Sequence, residues 1–431
     1  MTDRMISRFS LYGFLKNQQY YEPFILLAFL QLGLSFTLIG LLIGFRELLI
    51  NLFEIPSGAI ADLFGRRKAL LFSFACYIVS FAIMGTAVFM NNAASPSPFL
   101  FSVLLLAMGF YALGDAFRSG THKALIFTHL RIHGLTDQRT KVYGFTRSWS
   151  KIGSALSVVL ACLFVFYSDN FIWIFYFSII PYLLNMINVG TYPKSLDGDG
   201  RLENPGNREI VSHLIASCKI ALANPDFRGL IIESMSFEGF FKATKDYLQP
   251  ILKIAALPLA ALLFADFQLG DTQKSVILIG PIYVLIYLGS AVASRQSHVL
   301  ASLAGDDEKA AKVIWFIFFG MFVSLVPAFY FNVFWLMISS LILMHLLQNV
   351  WRPIFISRID AHGDEAKGAT LLSIQSQAQS LATMIIAPVL GFCIDTARGI
   401  EGAGEFWPIA VLGALIGLVF ILPWSQHEFA R

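Results

Sequence analysis

Charged side chains set inside long apolar runs are the residues of this sequence best placed to do chemistry. An ionisable group at the centre of a membrane helix costs about 2.5–3.5 kcal/mol on insertion scales, so each needs a partner or a task. An early apolar run holds Glu22, followed by Pro23. The next holds Arg46 and Glu47, and Glu47, Asn51 and Glu54 share one face by i, i+4, i+7 spacing. Later runs carry Asp115 and Arg118, then Glu233, Glu238, Lys242, Lys245 and Asp246, then Asn349 and Arg352. Glu238–Lys242 and Lys242–Asp246 have the i, i+4 spacing that lets opposite charges on a helix partly neutralise each other. Buried carboxylates favour their neutral form and can take up a proton. Guanidinium groups stay charged and fit a carboxylate or phosphate in a fork geometry. The competing reading is structural pairing alone: Arg46 with the neighbours of Glu47, Lys242 with Asp246, and Asp115 with Arg118.

These residues need a scaffold that holds them in lipid, and the composition supplies one. Of 431 residues 56% are hydrophobic and only 14% charged, against about 25% charged in soluble domains. There are too few polar residues to cover soluble surfaces. A bilayer core needs about 20 apolar residues in a helix. Candidate spans run Phe9–Leu32, Phe36–Ser57, Ala69–Met90, Phe99–Gly120, Val142–Tyr167 and Phe171–Tyr192. After a polar stretch come Phe227–Leu252, Ser275–Ser294, Ala310–Tyr330, Val333–Ile356, Gly368–Thr396 and Phe406–Trp424. The run Ala255–Ala265, interrupted by Pro258, is too short to span and reads as a loop or interfacial segment.

The expected fold class is therefore an all-α membrane protein with twelve transmembrane helices in two pseudo-symmetric six-helix bundles. Residues 1–192 form the first bundle, residues 193–226 a cytoplasmic linker with a surface helix over Glu209–Leu222, and residues 227–431 the second bundle. With both termini in the cytoplasm, only Lys253, Lys274 and Arg398 of the 31 Lys and Arg fall outside, as the positive-inside rule requires. The N-terminus lacks a signal-peptide pattern, so the first run is expected to stay as a membrane helix. A bacterial inner membrane is the expected location.

The halves repeat one another weakly, as transporter folds often do. Tyr20-Tyr21-Glu22-Pro23 parallels Tyr247-Leu248-Gln249-Pro250. Gly114-Asp115-Ala116-Phe117-Arg118 parallels Gln348-Asn349-Val350-Trp351-Arg352. Lys141, at the start of the fifth span, parallels Lys367 at the start of the eleventh.

Between the second and third spans the chain reads Gly58-Ala59-Ile60-Ala61-Asp62-Leu63-Phe64-Gly65-Arg66-Arg67-Lys68. This G-x-x-x-D-x-x-G-R-R pattern resembles the loop signature of the major facilitator superfamily. Gly58 and Gly65 would permit a tight turn and a close helix approach. Arg66, Arg67 and Lys68 would also anchor the cytoplasmic side. The resemblance implies that Asp62 faces the positive N-terminal end of the eleventh span, near Gly368–Thr370. That contact would close the cytoplasmic side and favour an outward-open state. It also implies a central cavity lined by spans one, four, seven and ten. Tyr21, Arg118, Lys242, Asn349 and Arg352 then become candidate substrate-binding residues. Glu22, Glu47, Asp115 and Asp246 become candidates for proton coupling.

The function that follows is secondary active transport of a small organic solute by alternating access, coupled to protons or another ion. Arg118 and Arg352, at matching positions, point to an anionic or zwitterionic substrate. Either could instead be a gate residue, pairing with Asp115 or Asp360. Departures from the family pattern argue against carrying over drug efflux, which stays as an alternative. The second-half counterpart Ser294-Arg295-Gln296-Ser297-His298 lacks the glycine and aspartate. Phe110 stands where the drug–proton antiporter branch has arginine, and Lys151-Ile152-Gly153-Ser154-Ala155-Leu156 is not its glycine-rich motif.

A membrane-embedded enzyme would need a compact catalytic set at one interface, which the sequence lacks. A non-transporting sensor would be expected to carry a soluble signalling domain. There is no phosphate-binding G-x-x-x-x-G-K-[ST] loop, no cofactor motif and no basic tract for nucleic acid. Cys76, Cys162, Cys218 and Cys393 form no C-x-x-C pair and read as packing residues. His122, His129 and His133 sit at the end of the fourth span and in the loop after it, where Lys123 and Arg131 disfavour a metal. Among the aromatics, Tyr20, Tyr21, Tyr247 and Trp351 are placed to stack on a ligand.

Overall fold

A computed structural model describes residues 4–90, 97–135, 138–197, 225–263, 268–361, 365–400 and 403–422. The expected linker helix over Glu209–Leu222 lies outside the described residues, as do the side chains of Asp62, Lys141, Asp360 and Gly368–Thr370. The described chain is all-helical. In order come α1 (Arg4–Lys16), α2 (Ile25–Gln31), α3 (Phe36–Phe64), α4 (Arg66–Met90), α5 (Pro98–Arg118), α6 (Thr121–Ile132), α7 (Arg139–Ser168) and α8 (Ile172–Gly190). Then follow α9 (Pro225–Ser234), α10 (Phe240–Thr244), α11 (Leu248–Leu263), α12 (Asp271–Ala304), α13 (Asp307–Tyr330), α14 (Phe334–Ala361), α15 (Glu365–Thr396) and α16 (Trp407–Ile421).

Among the described residues, eleven helices are long and apolar enough to cross a membrane. The first expected span is the exception, because it is divided. Pro23 lacks an amide hydrogen and disfavours a regular helix through the residues before it. The chain turns between α1 and α2 instead, and the freed groups find new partners. The Asn17 side chain donates to the Gly13 carbonyl at 2.7 Å and Gln18 to the Gly153 carbonyl at 3.2 Å. Glu22 N–H donates to the Gln19 carbonyl and Phe24 N–H to the Tyr21 carbonyl.

The seventh span is bent rather than broken. A π turn over Met235–Gly239 and a 3-10 turn over Lys245–Tyr247 join α9, α10 and α11 into one path, Phe227–Leu263. This corrects the reading of Ala255–Ala265 as a loop. Its described part continues α11, and Pro258 is accommodated inside the helix. The expected loop after the fourth span is also helical: Gly120, at φ 73°, ends α5 and lets α6 start.

Contacts divide the chain into two compact units. The first comprises Met1–Leu34, Phe45–Asn204 and Ala260–Tyr287. Inside it α4 packs on α5 and α8, and the Tyr77 and Tyr182 rings stack at 4.7 Å. The second comprises Ser35–Gly44, Pro205–Leu259 and Leu288–Arg431. There α13 packs on α14 and α16, around Trp351 stacked on Phe237 at 4.6 Å and Trp315 on Phe420 at 4.3 Å. Leu52, Phe99, Leu262, Leu303 and Trp335 are exposed, as lipid-facing positions of a spanning helix are.

Candidate functional site

In the first unit, α5 supplies Tyr111, Asp115 and Arg118 on one face. Asp115 Oδ1 accepts from Arg118 Nη2 at 2.5 Å and from the Tyr77 hydroxyl at 2.6 Å. Arg118 Nε also donates to the Tyr77 hydroxyl at 3.2 Å. The hydroxyls of Tyr111 and Tyr21 lie 2.9 Å apart, and the Arg46 guanidinium sits 5.8 Å over the Tyr111 ring. Arg46 pairs with Glu47 at 2.8 Å. Adjacent residues can do so because the long arginine side chain folds back to the buried carboxylate. Glu22, in the turn between α1 and α2, accepts from the Tyr287 hydroxyl at 2.9 Å.

In the second unit, the π turn sets Glu238 against α14. Arg352 Nη1 donates to Glu238 Oε2 at 3.1 Å. The Arg352 side chain is 51% exposed whereas that of Glu238 is 4% exposed. Asn349 donates to Ser290 Oγ at 3.0 Å and to the His345 carbonyl at 2.9 Å. Asp246 pairs with Lys245 at 3.2 Å and lies 3.5 Å from the Gln249 amide.

The structure adds Arg352–Glu238 and Lys245–Asp246 to the expected i, i+4 charges around Lys242, and the π and 3-10 turns alter the angular step along this span. Arg118 meets Asp115 as the pairing reading has it, and the Asp360 side chain lies outside the described residues.

The aromatic residues singled out as ligand-stacking candidates have protein partners in the structure. Tyr20, Tyr21, Tyr247 and Trp351 are all buried and pack on protein rings. Tyr20 meets Phe164, Tyr21 meets Phe81, Tyr247 meets Phe36, and Trp351 meets Phe237. His122 stacks on Tyr12 inside the first unit, and His129 and His133 contact each other on and just beyond α6.

The loop motif has a defined geometry at its end. Gly65 takes φ 103°, a region that disfavours side chains. A Cβ there would also meet the Asp197 carboxyl carbon at 3.1 Å. Asp197 accepts from the Arg67 N–H at 2.8 Å and so caps α4. Arg67 Nη1 donates to the Tyr192 carbonyl at 2.9 Å, and Arg66 to Thr128 Oγ1 at 3.0 Å. Gly58 has open space where a Cβ would go among the described residues, and the side chains of its expected partner near Gly368–Thr370 lie outside them.

The profile of the Major Facilitator Superfamily matches residues 9–387. The chain belongs to the major facilitator superfamily. Solved structures of that fold resemble it over nearly full length. The nucleoside transporter NupG gives a TM-score of 0.70 at 13% identity, covering 97% of this chain and 98% of that one. A POT family transporter in complex with a thioalcohol-conjugated peptide gives 0.67 at 15%, covering 99% and 97%. A D-xylose–proton symporter gives 0.65 at 14%, covering 98% of each. No curated protein sequence matches. As a major facilitator protein the chain is a multi-pass integral membrane transporter and not an enzyme.

Two groups in this facilitator escaped the sequence reading. Tyr77 and Tyr182 lie on α4 and α8, where an isolated tyrosine in an apolar run carries no signal of its partner. The second is the buried charge cluster of Arg358, which bridges Glu233 at 2.9 Å and Glu308 at 2.7 Å. Trp315 Nε1 also donates to Glu233, at 2.7 Å. Glu233 stood out in the sequence and Arg358 did not, and nothing in their spacing links α9 to α14.

Proposed function

We propose that this facilitator is a secondary active transporter of a small zwitterionic or anionic organic solute, working by alternating access and coupled to protons. The observation that carries the reading is the half-exposed Arg352 side chain, held against the buried Glu238 in the middle of apolar sequence. Half exposure leaves part of the guanidinium accessible to a solute while the carboxylate fixes its position. Asp115 and Arg118 offer a second such pair in the first unit, about a quarter exposed. Arg352 offers a solute its guanidinium, and the Asp115–Arg118 pair offers both charges, which suits an anionic or zwitterionic solute.

The names of the structural relatives, which cover nucleoside, peptide and xylose–proton transport, support a small-solute role. Tyr21, Lys242 and Asn349 complete the proposed substrate-binding set. Glu22, Glu47, Asp115 and Asp246 are the proposed proton-coupling set. We place both termini in the cytoplasm of a bacterial inner membrane, with bundles over 1–192 and 227–431 joined by the linker 193–226. Asp62 is proposed to latch the cytoplasmic end of the eleventh span.

A ligand-stabilisation screen of the purified protein tests the substrate class, since a ligand that binds the native state raises its melting temperature. Amino acids, small peptides, nucleosides and organic acids form the panel, followed by proteoliposome uptake of each hit. A substrate that is purely cationic or uncharged overturns the reading.

A further inference from the structure

Two aspartates at the ends of helices hold the beginnings of two other helices. Asp395, in the last turn of α15, accepts from Phe36 N–H at 3.1 Å, Thr37 N–H at 2.7 Å and Thr37 Oγ1 at 2.6 Å. These are the first residues of α3, and all belong to the second unit. Asp169 follows α7 with φ 50° and accepts from Gln273 N–H at 3.3 Å, in the first turn of α12. Gln273 answers by donating its side chain to the Phe166 carbonyl at 2.8 Å. Those residues belong to the first unit.

The two contacts are repeats of one another. Lys141 and Lys367 align at the starts of the fifth and eleventh spans, and the same number of residues separates Lys141 from Asp169 as Lys367 from Asp395. In each case a fifth-position helix caps the second-position helix of the opposite sequence half. Close approach reinforces both. A Cβ on Gly40 would collide with the Ala387 carbonyl, and one on Gly270 with the Asp169 carboxylate. A carboxylate in the last turn of its own helix faces the negative end of that helix's dipole; Arg398, 3.9 Å away, offsets part of that cost, and the hydrogen bonds from the start of α3 add the rest.

We infer that Asp169 and Asp395 are paired latches of the transport cycle, fastened when the extracellular ends of these helices are together and released when they part. The inference rests on the alternating-access reading and on the cytoplasmic placement of both termini, which puts all four helix ends on the extracellular side. A carboxylate at a helix N-terminus shifts a two-state equilibrium about two- to thirtyfold. Two in parallel multiply that bias.

The test uses the full chain with its native cysteines replaced by serine and a single reporter cysteine. Ser275→Cys, buried in the first turns of α12, reports on Asp169, and Ile39→Cys, buried in α3, reports on Asp395. A membrane-impermeant maleimide is applied from the extracellular face of cells and, separately, to inside-out vesicles. Asp169→Asn and Asp395→Asn each speed extracellular labelling of their own reporter severalfold, the double variant more, and Asp→Glu restores the slow rate. Unchanged labelling rates with a lowered melting temperature reduce the aspartates to static caps and overturn the inference. Reporters that react only in inside-out vesicles overturn the orientation instead, a distinct failure.

Discussion

The Tyr287 hydroxyl donates to the Glu22 carboxylate across 2.9 Å, tying the middle of α12 to the break in the first span. Both residues belong to the first unit. The proton-coupling role proposed for Glu22 is tested by neutralising it. Glu22→Gln is expected to keep substrate exchange in proteoliposomes while losing accumulation driven by a pH gradient. A Glu22→Gln protein that still concentrates substrate moves the role to Asp246.

Arg352→Lys keeps the charge and loses the fork. Substrate affinity should fall about three- to tenfold, roughly 0.7–1.4 kcal/mol, with little change in melting temperature. A gate residue would instead keep affinity and change the transport rate. Arg118→Lys should behave in the same way, because Asp115 and Tyr77 hold it in an equivalent pair.

The Arg358 cluster is expected to carry stability rather than transport. Removing one member of a buried ion pair costs about 3–5 kcal/mol, so Arg358→Met alone should lower the melting temperature by many degrees. Adding Glu233→Leu should recover most of that loss, since no buried charge is then left alone. Glu308 is half-exposed, and Glu308→Ala should cost less than about 1 kcal/mol. Thermal melts in detergent distinguish the three.

Gly65→Ala forces a side chain into positive φ at a cost of about 1–2 kcal/mol and presses it on Asp197. Asp197→Ala removes the cap of α4 at a cost of about 0.5–2 kcal/mol. The two share one contact, so the double variant should lose less than the sum of the singles. Additive melting shifts would show that Asp197 and Gly65 act independently.

Apolar run length made most of the fold readable, because a bilayer demands a fixed helix length and tolerates no unpaired backbone. The same averaging hid the division of the first span, where Asn17, Gln18 and Pro23 are diluted by flanking phenylalanines and leucines. The π turn at Met235–Gly239 has no sequence signature, yet it decides which residue Glu238 faces. Arg118 and Asp115 were legible as a pair because three residues on one helix fix their distance. Arg352 and Glu238 lie on different helices and were not. Asp395 could have been found: an acidic residue in the last turn of a helix opposes that helix's dipole, and so advertises a partner elsewhere.

The divided first span bears on how the chain enters the membrane during synthesis. Helix α1 has 13 residues and α2 has 7, roughly 20 Å and 10 Å of helix, and neither reaches across a hydrocarbon core of about 30 Å. Neither half of the divided span can therefore partition by itself. The 29-residue α3, followed at once by Arg66, Arg67 and Lys68, is long enough to do so. The divided span is expected to settle in the bilayer as the hairpin partner of α3, held by packing on its neighbours rather than by its own length.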